Sequence, residues 1–113
     1  MTKHFAVLGE IASEAKYYKE MSDTFKDNPS LLNGYAWRMT ELGLNLEDAL
    51  EKSILAIDIT DDIKLKSYIL DTKAELLWLL GRIQEAINTI NLAIEIDPNS
   101  DYFKEQKQKF QDS

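Results

Sequence analysis

The sequence predicts an all-α fold of antiparallel helix hairpins, on three observations. Apolar residues recur at helical spacing almost throughout, and no valine- and isoleucine-rich stretch alternates with a period of two. Proline occurs only at Pro29 and Pro98, each at a break between periodic segments. Six helices account for the chain. The first spans about Lys3 to Lys26, with Phe5, Leu8, Ala12, Ala15 and Met21 on or near one stripe and Tyr17 and Tyr18 at its edge. Asn28-Pro29 stops it and starts the second, Asn28 as N-cap and Pro29 at the first helical position. The second helix carries Leu32, Ala36 and Met39 and ends at Gly43, suited to a left-handed cap. Asn45 is expected to cap the third, which reaches about Ile59 and has Glu47 and Asp48 at the positive end of its dipole. Asp61 and Asp62 begin a long fourth helix ending at Gly81, and capping accounts for that acidic pair more simply than a cation site. The fifth runs from about Ile83 to Ile96. Asp97-Pro98 breaks it because proline lacks the amide hydrogen and clashes with the preceding turn. "SDYFKEQKQKF" forms a polar last helix. All connections are short, so successive helices should pack antiparallel.

Composition bounds the function. A chain of 113 residues, 44% apolar, supports one compact domain with a modest core. Its net charge of −7 repels phosphate backbones and anionic membrane surfaces, and no lysine and arginine cluster offsets it. Neither a nucleic acid nor a membrane is therefore expected as a partner. With no cysteine, disulfides, thiolate zinc sites and cysteine nucleophiles are excluded. The longest apolar run, Leu76 to Leu80, is too short to cross a bilayer. "MTKHFAVLGEIASEAK" is a poor signal peptide, because acidic residues soon follow its apolar patch. A cytoplasmic location is favoured, or a periplasmic one if the chain belongs to an exported multi-domain protein whose leader lies outside it.

The second and third helices align with the fourth and fifth. "LLNGYAWRMTELGLNLEDALEKSILAI" matches "ILDTKAELLWLLGRIQEAINTINLAI" with one extra residue after the glycine. Leu32 falls on Leu70, Ala36 on Ala74, Met39 on Leu77, Gly43 on Gly81, Ala49 on Ala86 and Ala56 on Ala93. Alanines seven apart give two successive contact points on one helix face, where backbones can approach closely. The plainer reading is a generic hairpin with alanines chosen for helix propensity.

These residues resemble the tetratricopeptide repeat family, whose unit pairs a helix A with a helix B. Ala86, Ala93 and Pro98 match the family's small residues and proline in helix B, whereas Leu70, Ala74 and Leu77 match helix A in size and polarity only. Lys73 stands where the family usually has leucine. The first unit lacks the proline, and extra residues around Asp61 to Lys66 lengthen the connection. The resemblance covers about residues 30 to 100. It implies a short α-solenoid in one domain: a packing helix over 1–28, repeats over 29–60 and 61–98, and a capping helix over 99–113. Pro29 lies too close to Ala36 for the first helix to be helix B of an earlier in-register repeat. In the last helix, Lys104, Gln108 and Gln111 replace apolar residues, while Tyr102, Phe103 and Phe110 can cover one face, which suits a solenoid end. "LLNGYAW" followed by "ILDTKAELLWLLGR" also resembles helical C-terminal regions of some bacterial thioredoxin-like proteins, although the CxxC of a thioredoxin is absent.

The family's groove positions fall on Asn33, Trp37, Thr40 and Glu41 in the first unit, and on Tyr68, Asp71, Glu75, Trp78 and Leu79 in the second. The resemblance implies a concave surface for a peptide or partner domain, with both tryptophans as anchors. The competing reading packs Trp37 under the first helix and Trp78 under the last. The family's carboxylate clamp is missing, because the lysine and asparagine it needs are not at the matching positions. Glu41, Asp71 and Glu75 would instead make an acidic groove for a basic or mixed peptide, unless they are ordinary solvated acids. On the groove reading, Trp78→Ala weakens binding without unfolding the domain.

No catalytic constellation emerges. His4 is the only histidine and lies near the terminus, the four glycines are scattered, and no metal-spaced ligand set or Ser/His/Asp arrangement appears. The expected role is non-catalytic, without cofactor or metal: a protein-interaction scaffold. The alternatives are a self-associating homodimer and an accessory domain of a larger bacterial enzyme.

Overall fold

The computed structural model describes residues 2–113, with side chains from residue 8 onward, so His4 and Phe5 lie outside the described side chains. The described residues form six helices: α1 (Thr2–Thr24), α2 (Pro29–Leu42), α3 (Leu46–Ile59), α4 (Ile63–Leu79), α5 (Ile83–Ile96) and α6 (Asp101–Gln111). No described residue is in a strand, and no described helix is long and apolar enough to cross a membrane.

Local chemistry sets most helix boundaries. Asn28 Oδ1 accepts from the Leu31 amide at 3.0 Å ahead of Pro29. Asp62 Oδ1 accepts from the Lys64 and Leu65 amides, and Ser100 Oγ from Phe103. Of the acidic pair, it is Asp62 that caps; Asp61 is exposed. Gly43, at φ 68°, returns its amide to the Met39 carbonyl. Asn45 departs from expectation. Its backbone is left-handed at φ 52°, its side chain caps nothing, and its Nδ2 points back toward Met39 Sδ. Two residues after Gly43, it is occupied in turning the chain.

Helices adjacent in sequence pack against each other, most extensively α4 with α5 and α2 with α3; α2 also meets α4, and α6 meets both α5 and α4. Ala36, Ala49, Ala56, Ala74, Ala86 and Ala93 are all 0% exposed. Buried methyl-sized side chains therefore stand at each alanine pair of the internal alignment. Around them pack Met39, Leu76, Leu77, Ile90, Phe103 and Phe110.

α1 follows its expected stripe only in part. Ala15 is buried and Met21 half-buried, but Ala12 is exposed and Leu8 is 48% exposed. At 1.5 Å per residue the 23-residue α1 outruns the 14-residue α2 by roughly four tenths of its length. The Glu14–Arg38 ion pair, Arg38 Nη2 to Oε2 at 3.1 Å, lies near the C-terminal end of α2, so Leu8 to Glu10 have no α2 beneath them.

Candidate functional site

Each hairpin presents two flanks, and the terminal helices cover one flank of each. On the second hairpin, α6 lies over the predicted groove positions of α4. Gln106 Nε2 donates to Asp71 Oδ1 at 3.1 Å and to Glu75 Oε2 at 2.9 Å, and Lys109 Nζ donates to Glu75 Oε2 at 2.7 Å. The Trp78 indole packs on Phe110 with ring centroids 5.9 Å apart, carries Lys109 Nζ at 4.4 Å from its centroid, and donates Nε1–H to Ser113 Oγ. Tyr68 meets Phe103 edge-on at 6.3 Å. The open acidic groove expected at Asp71 and Glu75 is thus filled by the chain's own last helix, which supplies the basic and amide groups such a groove would select. Trp78 sits beneath that helix, so Trp78→Ala would loosen α6 as well as any ligand.

Burial pushes the Asp71 carboxyl up to about 6; the Gln106 hydrogen bond opposes this shift, and the negative charge of Glu75 adds to it. Tyr102, expected on the covered face of α6, is 46% exposed, and its phenol is pushed up to about 12 by desolvation and by Asp71 and Glu75. The polar Gln106 is buried where an apolar residue would have drawn notice.

On the first hairpin the predicted residues stay more open. Asn33, Trp37 and Thr40 are half-buried, and Glu41 is exposed. The Asn33 Oδ1 is shielded from solvent with no hydrogen-bond partner. Trp37 and Glu41 line a cavity of about 340 Å³ between α1 and α2, with Tyr18, Met21, Leu31 and Arg38. Gly34 borders it, and a Cβ there would meet nothing within 4 Å. The walls are aromatic and aliphatic, and the rim carries the Arg38–Glu41 pair. In the second unit, Leu79 is 39% and Tyr68 49% exposed.

Tyr35, which also lines the cavity between α1 and α2, joins the first hairpin to α1 through a polar network absent from the sequence expectations. Lys52, only 6% exposed, donates Nζ to Asp23 Oδ1 of α1 at 2.7 Å and to Asp48 Oδ2 at 3.2 Å. The Tyr35 hydroxyl donates to Asp48 Oδ2 at 2.6 Å. Lys52 and Lys19 hold the Asp23 carboxyl at about 2, and burial beside Asp48 raises the Tyr35 phenol above its ordinary range. A lysine at Lys52 reads as solvent-facing in sequence; its spacing of four from Asp48 was the available signal.

Among the described residues, no three His, Cys, Asp or Glu side chains are grouped to hold a metal ion. No family model, curated protein or solved structure matches the chain.

Proposed function

We propose that the chain is a non-catalytic protein-interaction module of tetratricopeptide-like build. In this reading it is a short solenoid of two hairpins, with α1 and α6 as its terminal helices, that holds a peptide or partner segment against the exposed side of α2. The cavity at Trp37 carries this reading. Its volume of about 340 Å³ falls in the size range of ligand sites, it is walled by Tyr18, Met21 and Trp37, and its rim is charged. Gly34 supports it further. A glycine inside α2 costs roughly 1 kcal/mol of helix stability relative to alanine, and here it leaves the cavity mouth unobstructed. An apolar side chain anchored beside Trp37 would gain burial at little ordering cost, because packed helices already fix the walls.

The test is selection of peptides from a random display library on the full chain, followed by measurement of the winners on two variants. Gly34→Leu should fill the cavity without touching the core and weaken binding by about tenfold or more. Trp37→Ala should do the same, and tryptophan emission should change on binding to the wild type. Winners that bind both variants as well as they bind the wild type would remove the cavity from the account.

A further inference from the structure

A second groove runs along α3, α4 and α5. Its floor is a single stripe of α4, Lys66, Leu70, Lys73 and Leu77, spaced four, three and four residues apart. Ile54 and Ile57 of α3 form one wall; Leu92 and Ile96 of α5 form the other. Two cavities of about 270 and 360 Å³, both lined by Lys73, make it up. The floor stripe is roughly 16 Å long at 1.5 Å per residue. Ile54 and Leu92, at 40% and 48% exposed, present large apolar side chains along it.

The charge of this groove runs against that of the molecule. Lys66, Lys73 and Arg82 line it against Glu85 and Glu95, an excess of one positive charge in a chain of net charge −7. Arg82 is engaged by Glu85. Lys73, half-buried between Leu70 and Leu77, forms no ion pair or hydrogen bond among the described residues.

The first hairpin shows how a face of this kind is closed. The register that sets Ala36 on Ala74 sets Tyr35 on Lys73, and the one that sets Ala49 on Ala86 sets Asp48 on Glu85. Around Tyr35 the face is covered by a helix, α1, which brings the Asp23 carboxylate onto the buried ammonium of Lys52 at 2.7 Å. Around Lys73 the ammonium is present and the incoming carboxylate is not.

We infer that the α3–α4–α5 groove docks an amphipathic helix of a partner protein, which lays apolar side chains on the floor and sets one Asp or Glu carboxylate against Lys73. Two flanking helices over a straight floor of about three turns suit a helix in a groove. The acidic residue supplies the direct ion pair that Lys73 lacks among the described residues, since Glu85 acts on it only through its field. This surface is separate from the Trp37 cavity, and the inference stands without it.

The probe is a display library of helical peptides of about four turns, with leucine fixed along one i, i+3, i+4, i+7 stripe and the other positions randomised, selected on the full chain. Asp or Glu should be enriched at one position beside the stripe. The selected peptides should shift the NMR signals of Ile54, Ile57, Leu92 and Ile96, bind Trp37→Ala unchanged, and lose about tenfold in affinity on Lys73→Met. Lys73→Arg should recover part of that loss, whereas a role in packing alone would let methionine serve as well as lysine. Failure to enrich any peptide, enrichment of basic or neutral ones, or undiminished binding to Lys73→Met overturns the inference. Reversible dimerisation that masks the same signals also overturns it, because the occupant would then be a second copy of the chain.

Discussion

The two hairpins are closed on opposite flanks. α1 covers the first at Tyr35 and Lys52 and leaves Trp37 beside a cavity; α6 covers the second at Asp71, Glu75 and Trp78 and leaves the Lys73 groove open. In both closures the arriving helix brings the missing polarity. α1 offers the acid Asp23 to Lys52, and α6 offers Gln106 and Lys109 to Asp71 and Glu75. Closing a flank here means supplying a counter-charge along with apolar area, which is why the two surfaces left open differ so much in chemistry.

The comparison breaks first at α6. Phe110 is fully buried, and Phe110→Ala should cost about 3–5 kcal/mol in urea unfolding and shift Trp78 emission to longer wavelength; a cost under about 1 kcal/mol would mean that α6 is not held by its aromatic side chains. Next come the alanine contacts. Ala49→Leu and Ala86→Leu should each cost roughly 1–3 kcal/mol through overpacking, whereas Ala12→Leu on exposed α1 should be nearly neutral. Equal effects at buried and exposed sites would count against close helix approach.

Acid should act on the two seams in opposite directions. Asp71, faced by Glu75, Gln106, Lys109 and Tyr102, titrates at about 6 in the folded chain, above its unfolded value. The folded state therefore takes up the extra proton first, and stability at the α6 seam rises as pH falls from neutrality through about 6. Asp71→Asn should remove that dependence and raise stability at neutral pH by about 1 kcal/mol. Asp23, held at about 2 by Lys52 and Lys19, is the reverse case. Its contribution is full above the ordinary aspartate range and is lost as pH falls toward 2, so the α1 seam should weaken in acid. Hydrogen exchange of α1 and α6 against pH reads the two trends separately. The smallest effect is at Gly34, where alanine should add about 0.5–1 kcal/mol by favouring the helix.

Much of the fold was legible because the signals are local. Asn28-Pro29, Gly43 and Asp62 each act within a turn of themselves, and alanine spacing is a property of one helix. The misreadings concern what meets what. Periodicity showed an apolar stripe on α1 but not that α2 is too short to cover it at Leu8, nor that Ala12 is left exposed beside the half-buried Ile11. Asn45 has a capping residue's identity, yet its left-handed backbone is dictated by the turn after Gly43. At the candidate site, Asp71, Glu75 and Trp78 stood out by position. Their occupancy by α6 did not, because Gln106 and Lys109 look like solvated residues until the acids beneath them are known. Lys52 and Lys73 are alike in the same way: one lysine is buried against an acid from another helix, the other faces an open groove, and composition cannot tell them apart.

Exchange of the residue types at the paired positions 35 and 73 tests most directly the claim that these two faces are equivalent and that one is filled while the other waits. Urea unfolding of Tyr35→Lys and Lys73→Tyr should move in opposite directions. Tyr35→Lys places a second ammonium beside Lys52 under α1 and should cost at least about 2 kcal/mol. Lys73→Tyr should leave stability unchanged or raise it, by covering Leu70 and Leu77 with a ring whose hydroxyl can donate to Glu85. Comparable losses from both substitutions would show that Lys73 is already packed in place, and would contradict the account.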